Sequence, residues 1–439
     1  MTAKKSFYIE NLGCSKNQVD AETIGTFLVK DGWHWKESPE KAEVIIVNTC
    51  GFIGPAKEES INTVLEYRNE FPDKKIVAAG CLAERYKEEL SKELTEADAF
   101  FGNKDLFLIS SLLEPLSEAE ENSLYPEELK LEYPERIRTL SFPGSAYVKI
   151  SEGCSNNCAY CAIPIIRGGL KSRNEEAVVN EIAALIRKGI KEIILIGQDL
   201  GNFGKDTGKA SFVSLLRKIQ NISGEFWIRM LYIHPDHFSL EIVKICKEDP
   251  RFLPYFDIPV QHASNRILKK MGRKRTDKEY AELFHYIREE IPHAVLRTTM
   301  LLGFPGETEE DLQDVLQFQD TVEFDWLGAF AYSLEEGTRA GEMENQVDHE
   351  TAEERKAKVE EKQLLITEKR LDSFLGKTLT VIVEEEIKEE DMFITRSYAQ
   401  APDVDGFVVV NGEGLVPGEF VRVRITAVNG VDLEAEIDE

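Results

Sequence analysis

Three cysteines sit in one loop, Cys154, Cys158 and Cys161, four and three residues apart within residues 151–173, SEGCSNNCAYCAIPIIRGGLKSR. Thiols this close in sequence can converge on a single inorganic centre. A structural zinc site wants four protein ligands, normally in two short-spaced pairs, and no second Cys or His pair stands nearby at such spacing. A cubane iron–sulfur cluster held by three thiolates instead leaves one iron open to chemistry. The apolar run 146–150 just before the loop reads as a strand, so the cysteines hang from a strand end.

The surrounding elements should position that loop. Runs at 192–197, 226–233, 256–260, 295–302 and 327–332 read as strands, with helices between them over 176–188, 212–219, 278–290 and 309–321. With the strand before Cys154 these make six βα units, a partial TIM-type (β/α)6 barrel whose chemistry belongs at the C-terminal strand ends. Three turns lie there: GQDLGNFG (197–204), DIPVQHAS (257–264) and LLGFPGET (301–308). Gly303, Pro305 and Gly306 permit close backbone approach to a flat ring. Gln261, His262 and Ser264 bring hydrogen-bonding groups to the barrel mouth, where His262 either titrates near neutrality or merely orders the loop. The basic run Lys269, Lys270, Arg273, Lys274, Arg275 reads as an exposed helix end favoured by the macrodipole, or as a contact for RNA or a cofactor carboxylate. Cys246 falls on an apolar helical face and reads as core. A long polar helix over 351–374, with a narrow stripe of Val359, Leu365 and Ile366, carries the chain out of the barrel.

Residues 1–120 repeat the alternation. Strands are expected at 6–12, 44–48 and 75–79, and helices at 20–30, 56–69 and 84–94, giving an N-terminal parallel-sheet α/β domain. Three strands end in cysteine: NLGC at Cys14, VNTC at Cys50 and AAGC at Cys81. Ligands gather at the carboxyl ends of open parallel sheets, so these thiols should meet and form a second three-cysteine site. Asn11, Gly13, Lys16, Asn17, Asn48, Thr49 and Gly80 supply small and polar surroundings, although Lys16 and Asn17 serve equally to begin a helix.

The CxxxCxxC pattern with Tyr160 before its third cysteine resembles the radical S-adenosylmethionine (SAM) superfamily. NLGCSKNQVDAE, VNTCGFI and AGCLAERY resemble the N-terminal domain of its methylthiotransferase subfamily. The resemblance implies one 4Fe-4S cluster on Cys154, Cys158 and Cys161 that binds and splits SAM, and an auxiliary 4Fe-4S cluster on Cys14, Cys50 and Cys81 that carries the sulfur. One SAM would methylate that sulfur, and a radical from a second would activate the substrate carbon. It further implies SAM contacts from Gly197, Gln198, Gln261, Gly303, Pro305 and Gly306. Arg167, Gly168, Ser172 and Arg173 match the same pattern, the arginines pairing with the SAM carboxylate, with an acidic substrate, or only with solvent. PVQHASNRILKKMGR and RMLYIHP resemble the branch that modifies an aspartate of a small-subunit ribosomal protein. The alternatives are a relative acting on a modified adenosine of transfer RNA, and a non-catalytic iron–sulfur protein. No side chain beyond the cysteines is assigned a catalytic role.

Residues 121–144 read as an acidic, proline-punctuated connector, the barrel domain as 145–372, and 373–439 as a small β-barrel resembling the TRAM domain. That last segment holds only five Lys and Arg from residue 376 onward, against fifteen Asp and Glu. The chain as a whole carries a formal net charge of −27. Such a surface repels phosphate and suits a basic protein partner, with RNA contact weak. The opening MTAKKSFYIENLGC shows no secretory h-region, and no window has the length of apolar sequence a spanning helix needs. The seven cysteines then point to a cytoplasmic setting where thiols stay reduced. A monomer served by an external electron donor, with no membrane partner, is expected.

Overall fold

The structure, a computed structural model, describes residues 5–114, 123–131, 133–388 and 391–438. They divide into two compact units. The first comprises Met1–Leu140, Glu152–Ser155 and Ala162–Arg173; the second Ser141–Ser151, Asn156–Cys161 and Asn174–Glu439. No helix among the described residues is long and apolar enough to cross a membrane.

The first unit is built on six parallel strands: β1 (Ser6–Asn11), β2 (His34–Trp35), β3 (Val44–Thr49), β4 (Lys75–Gly80), β5 (Ala99–Phe101) and β6 (Ser123–Leu124), in the order β2-β1-β3-β4-β5-β6. Strand β3, VIIVNT, is buried along its whole length because helices cover both faces of the sheet, the usual state of a parallel strand. Helices α1 (Ser15–Lys30) and α5 (Ile109–Leu113) pack with Phe7, Val44 and Val77 on one face. On the other, α2 (Gly54–Glu70), α3 (Cys81–Arg85) and α4 (Lys87–Glu93) pack with Ile45, Val47 and Ile76. The single helix expected over 84–94 is two, broken at Tyr86. Gly80, at φ +92°, turns the chain in one step so that α3 starts directly on Cys81. The connector begins at residues 121 and 122, outside those described. Further on it adds β6 to the sheet edge and buries Arg136 against Glu22 at 2.5 Å, neither of which its polar composition announces.

Two short strands, β8 (Ser151–Glu152) and β9 (Lys171–Ser172), and helix α6 (Ile163–Arg167) flank the cysteine loop. In the second unit β7 (Ser145–Lys149), β10 (Glu192–Ile196) and β11 (Trp227–Met230) form one parallel sheet, order β11-β10-β7. Strands β12 (Tyr255–Asp257), β13 (Val295–Leu302) and β14 (Trp326–Ala331) form another. Bonds such as Ile233 N–H to the Asp257 carbonyl, 3.0 Å, join the two at the β11/β12 seam. Six strands thus make an open barrel with one continuous core, covered by α7 (Glu175–Arg187), α8 (Phe212–Ile219), α9 (Leu240–Glu248), α11 (Asp277–Glu290) and α12 (Glu309–Val322). Helix α10 (Asn265–Met271) follows β12 at the mouth. Helix α13 (His349–Leu371) does not simply leave the barrel. Its buried stripe is partly polar: Gln363 donates to the Phe324 carbonyl at 2.8 Å and Thr367 to that of Asp325 at 2.9 Å, while the expected Leu365 is 65% exposed.

Strands β15 (Thr378–Ile387), β16 (Met392–Ser397), β17 (Val408–Asn411), β18 (Phe420–Asn429) and β19 (Asp432–Ile437) close into a small barrel, order β15-β16-β17-β19-β18. It seals the N-terminal end of the larger one through buried ion pairs. Glu192, at the start of β10, holds Arg229 at 2.7 Å and Arg396 at 2.6 Å, and Arg396 also reaches Glu384 at 2.5 Å. Asp405 accepts from the Tyr255 hydroxyl at 2.5 Å, and the Trp326 indole donates to the Ala399 carbonyl at 2.7 Å. A cavity of about 490 Å³ lies at this same end, lined by Trp227, Pro254, Ile291 and Thr380. It faces away from the strand ends where barrel chemistry sits. Cys246 borders it, buried on α9 as expected of a core residue.

Candidate functional site

The register of the first sheet brings its cysteines to one edge. Thr49 pairs with Gly80, so Cys50 and Cys81 leave adjacent strands level with one another, and Asn11 pairs with Asn48 just upstream of Cys14. Gly13, at φ +85°, is obligatory: a Cβ there would stand 2.8 Å from the Cys50 Cβ and 3.1 Å from its Sγ. Cys14 is exposed and takes the N-cap position of α1. Crowding pushes its thiol up, but Lys16, Arg167 and the N–H groups of Asn17 and Lys16 hold it below the ordinary cysteine value. Burial pushes Cys50 up, aided by the charge of Cys14. Burial pushes Cys81 up to about 12, with Cys14 and Cys50 adding to the rise and Arg167 opposing it. Three thiols that feel one another's charge form a set a cationic core would stabilise, because metal binding drives thiols to thiolates. Among the described residues no group of His, Cys, Asp or Glu closes around a single metal ion. A cubane, larger than one ion, spreads its thiolates wider than tetrahedral zinc does.

The polar surroundings form one network. Asn17 donates to the carbonyls of Leu12 and Thr49, each at 3.0 Å, and lies in the first turn of α1. Its Oδ1 accepts from Arg167 at 2.6 Å, and Arg167 donates in turn to the Cys81 Sγ at 3.0 Å, to Asp20 at 3.0 Å and to Glu152 at 2.9 Å. Arg167, expected on SAM, on an acidic substrate or in solvent, is therefore buried in the network around Cys81. Arg173 is buried as well, its guanidinium 4.1 Å from the Tyr133 ring centroid. Gly168 and Gly169 let the chain double back: the Cys154 N–H bonds the Gly168 carbonyl at 3.0 Å, and a Cβ on Gly153 would strike the Gly169 oxygen.

Cys154 belongs to the first unit, Cys158 and Cys161 to the second. In the second unit the loop is held by a residue that sequence reasoning passed over, Asp199, at the end of β10 within the 197–204 turn. Its Oδ2 accepts from Asn156 at 2.9 Å and from His237 at 2.6 Å, and its Oδ1 from the N–H groups of Gly201 and His234. Burial would raise the Asp199 carboxyl, but the His237 hydrogen bond and charge, helped by Asn156, hold it below the usual range. His234 lies 3.9 Å from the Cys158 Sγ, and burial with Arg273 pushes it down to about 2, so it is neutral at physiological pH. Arg273 turns inward from the basic run to donate to the Tyr160 hydroxyl at 2.8 Å. The available signal was a carboxylate in the turn after the second strand, two turns from an HPDH pair.

The other expected contacts divide. Gly303, at φ +78°, is required by packing, since a Cβ would meet that of Ala352 on α13 at 2.3 Å. Glu307 fixes the turn that holds Pro305, accepting from Gly303 and Phe304 N–H at 2.8 and 3.1 Å and from Arg355 at 3.0 Å. Over Gly306 lies only the flexible Lys270 ammonium. Gly197 packs against Ser151 Oγ, and Gln198 stays partly exposed beside it. His262 is not at the open mouth but fully buried, its Nδ1 accepting from Ser264 N–H at 2.9 Å, and Ser264 donates to Asp311 at 2.6 Å. Its Nε2 faces the buried Glu307 carboxylate at 3.4 Å, so the histidine sits within the polar packing of this loop. Gln261 differs: it is partly exposed, has φ +75°, and its side chain makes no hydrogen bond among the described residues. Its N–H and carbonyl are locked to Thr299 and Leu301 at 2.8 and 2.7 Å. A strained side-chain-bearing residue is held by its surroundings and clusters at functional sites.

Family models match three stretches: "Uncharacterized protein family UPF0004" over residues 6–102, "Radical SAM superfamily" over 148–318 and "TRAM domain" over 375–437. The chain is 43% identical to the ribosomal protein uS12 methylthiotransferase RimO of Treponema denticola, over 96% of this chain and 98% of that protein. It is 41% identical to the RimO of Bdellovibrio bacteriovorus (99% and 97%) and 41% to that of Thermotoga maritima (95% and 96%). Among solved structures, the radical SAM methyltransferase TsrM of Kitasatospora setae with cobalamin and a [4Fe-4S] cluster aligns over 77% of this chain and 74% of its own, at TM-score 0.56 and 14% identity, a likeness of fold. Full-length identity at this level, with all three domains in order, makes the chain a member of the RimO family of methylthiotransferases, enzymes of the radical SAM superfamily.

Proposed function

We propose that the chain inserts a methylthio group at the β-carbon of an aspartate in ribosomal protein uS12, using two SAM molecules and two 4Fe-4S clusters. Cys154, Cys158 and Cys161 would hold the cluster that binds SAM, and Cys14, Cys50 and Cys81 the auxiliary one. When bound, these groups supply electron transfer, a carbon radical and the sulfur to be donated. The observation that carries the reading is the meeting of three strand-end thiols with Arg167 at one sheet edge, apart in sequence from a second trio. The chain's own work is positioning. Asp199 fixes the cysteine loop through Asn156, Glu307 fixes the glycine turn, and Gln261 offers an unspent amide at the barrel's strand ends. The partly buried His234 and Tyr160 flank the loop at Cys158, His234 3.9 Å from its Sγ and Tyr160 held by Arg273. The acidic terminal barrel suits a basic ribosomal protein and disfavours transfer RNA. An external reductant, a monomeric enzyme and a cytoplasmic setting belong to the same proposal. Mass spectrometry of uS12 and of transfer-RNA nucleosides from a strain lacking the gene tests it. Loss of methylthio-aspartate with nucleosides unchanged is expected; methylthio-aspartate that persists refutes the substrate.

A further inference from the structure

On the reading just given, the target aspartate sits in a protein that is itself part of a ribonucleoprotein, and the barrel mouth carries charge suited to the RNA component. Helix α10 ends at Gly272, its left-handed C-cap. Lys269 and Lys270 lie in its last turn, Lys274 and Arg275 just beyond, and Arg339 reaches in from the other side to donate to the Asn157 carbonyl against Gly272. Lys269, Lys270, Lys274 and Arg339 are exposed and Arg275 is half-buried. None of the five is ion-paired among the described residues. Elsewhere on the same unit Lys218 sits on Glu175, Lys247 on Glu290 and Lys362 on Asp320. Exposed Lys205, Lys209 and Lys278 also lack an ion pair among the described residues but are not gathered with other cations in one rim. In a chain with 80 acidic and 53 basic residues, five neighbouring uncompensated cations are a local reversal of sign. The α10 macrodipole accounts for Lys269 and Lys270 but not for the three that lie outside the helix. The segments that carry them also grip the cysteine loop: Ala159 donates to the Met271 carbonyl at 2.9 Å, and Ala340 to that of Ala159 at 2.8 Å.

We infer that this rim binds the phosphate backbone of ribosomal RNA beside the target, so that the assembled small subunit is a better substrate than free uS12. Lys and Arg contacts to phosphate position without reading sequence, and they confer affinity that falls steeply with salt. The test compares cluster-loaded wild type with K269A/K274A. Binding to purified small subunits is measured across a salt series without SAM or reductant, and turnover is measured on small subunits and on isolated uS12. Expected are a log–log salt slope flatter by about 1.5–2, affinity for subunits about tenfold weaker at about 0.1 M salt, and a loss of kcat/KM on subunits about tenfold greater than on free uS12. Equal losses on both substrates with an unchanged slope would assign the rim to an acidic protein surface or a cofactor carboxylate. No change in either would leave it surplus solvated charge. The binding arm needs no turnover, so failure of the methylthiotransfer reading appears separately, as no modification of either substrate.

Discussion

At Cys81 two opposed effects decide what the residue can do. Burial pushes its thiol up to about 12, and the guanidinium of Arg167, 3.0 Å from the sulfur, pulls the other way while also neutralising Asp20 and Glu152. Replacing Arg167 with Gln takes the guanidinium away from two buried carboxylates, a loss on the order of 3–5 kcal/mol, and leaves the Cys81 thiolate without its cation. R167Q is therefore expected to unfold at much lower denaturant and to lose iron from the Cys14 trio, with R167K intermediate because it keeps the charge but not the fork. Full stability and full iron in R167Q would show that the network is ornamental. The cysteines themselves were legible, since each ends an apolar run. The partners of Arg167 were not: Asp20 is 147 residues away in sequence, and nothing local marks either residue as half of a pair.

Among the elements, most strands and helices of the barrel stand within a residue or two of their sequence expectation, because their apolar runs are long and bounded by polar turns, but β11 and β12 end three residues before their apolar runs do. What the periodicity hides is the polar seam between the two barrels. Glu192 opens β10 and reads as an ordinary strand boundary, yet it is fully buried between Arg229 and Arg396. Burial alone would raise its carboxyl, but Arg396 and Arg229 bring it down to about 2 from an ordinary 4.5. A depressed carboxyl contributes stability that is complete above its unfolded value and is lost as pH falls from 4.5 through about 2. That contribution is about 3 kcal/mol. Glu384 and Asp405, raised by burial, act with the opposite sign, so the effect is read as a difference. Urea unfolding of wild type and E192Q between pH 7 and pH 3 is expected to show a large gap at pH 7 that narrows toward pH 3. A gap that does not depend on pH would contradict it.

Over the whole molecule, two features of the terminal barrel are unequally visible in the sequence. Its excess of acid is plain in the composition and points toward a basic partner. Its role as the floor of the larger barrel is invisible there, because Arg396, Ala399 and Asp405 meet Glu192, Trp326 and Tyr255 only after folding. Removal of residues 376–439 is thus expected to abolish SAM cleavage along with substrate recognition, since it uncovers Glu192 and Arg229, buried charges that need their partners. A soluble truncated chain that still forms deoxyadenosine would show the terminal barrel to be a detachable module. The central proposal, two cysteine trios serving two clusters, is tested most directly by iron and sulfide content with electron paramagnetic resonance on anaerobic wild type and C14A/C50A/C81A. Wild type should hold two cubanes, and the variant should hold one and still cleave SAM while forming no methylthio product. Equal iron and sulfide in the two proteins would contradict the account.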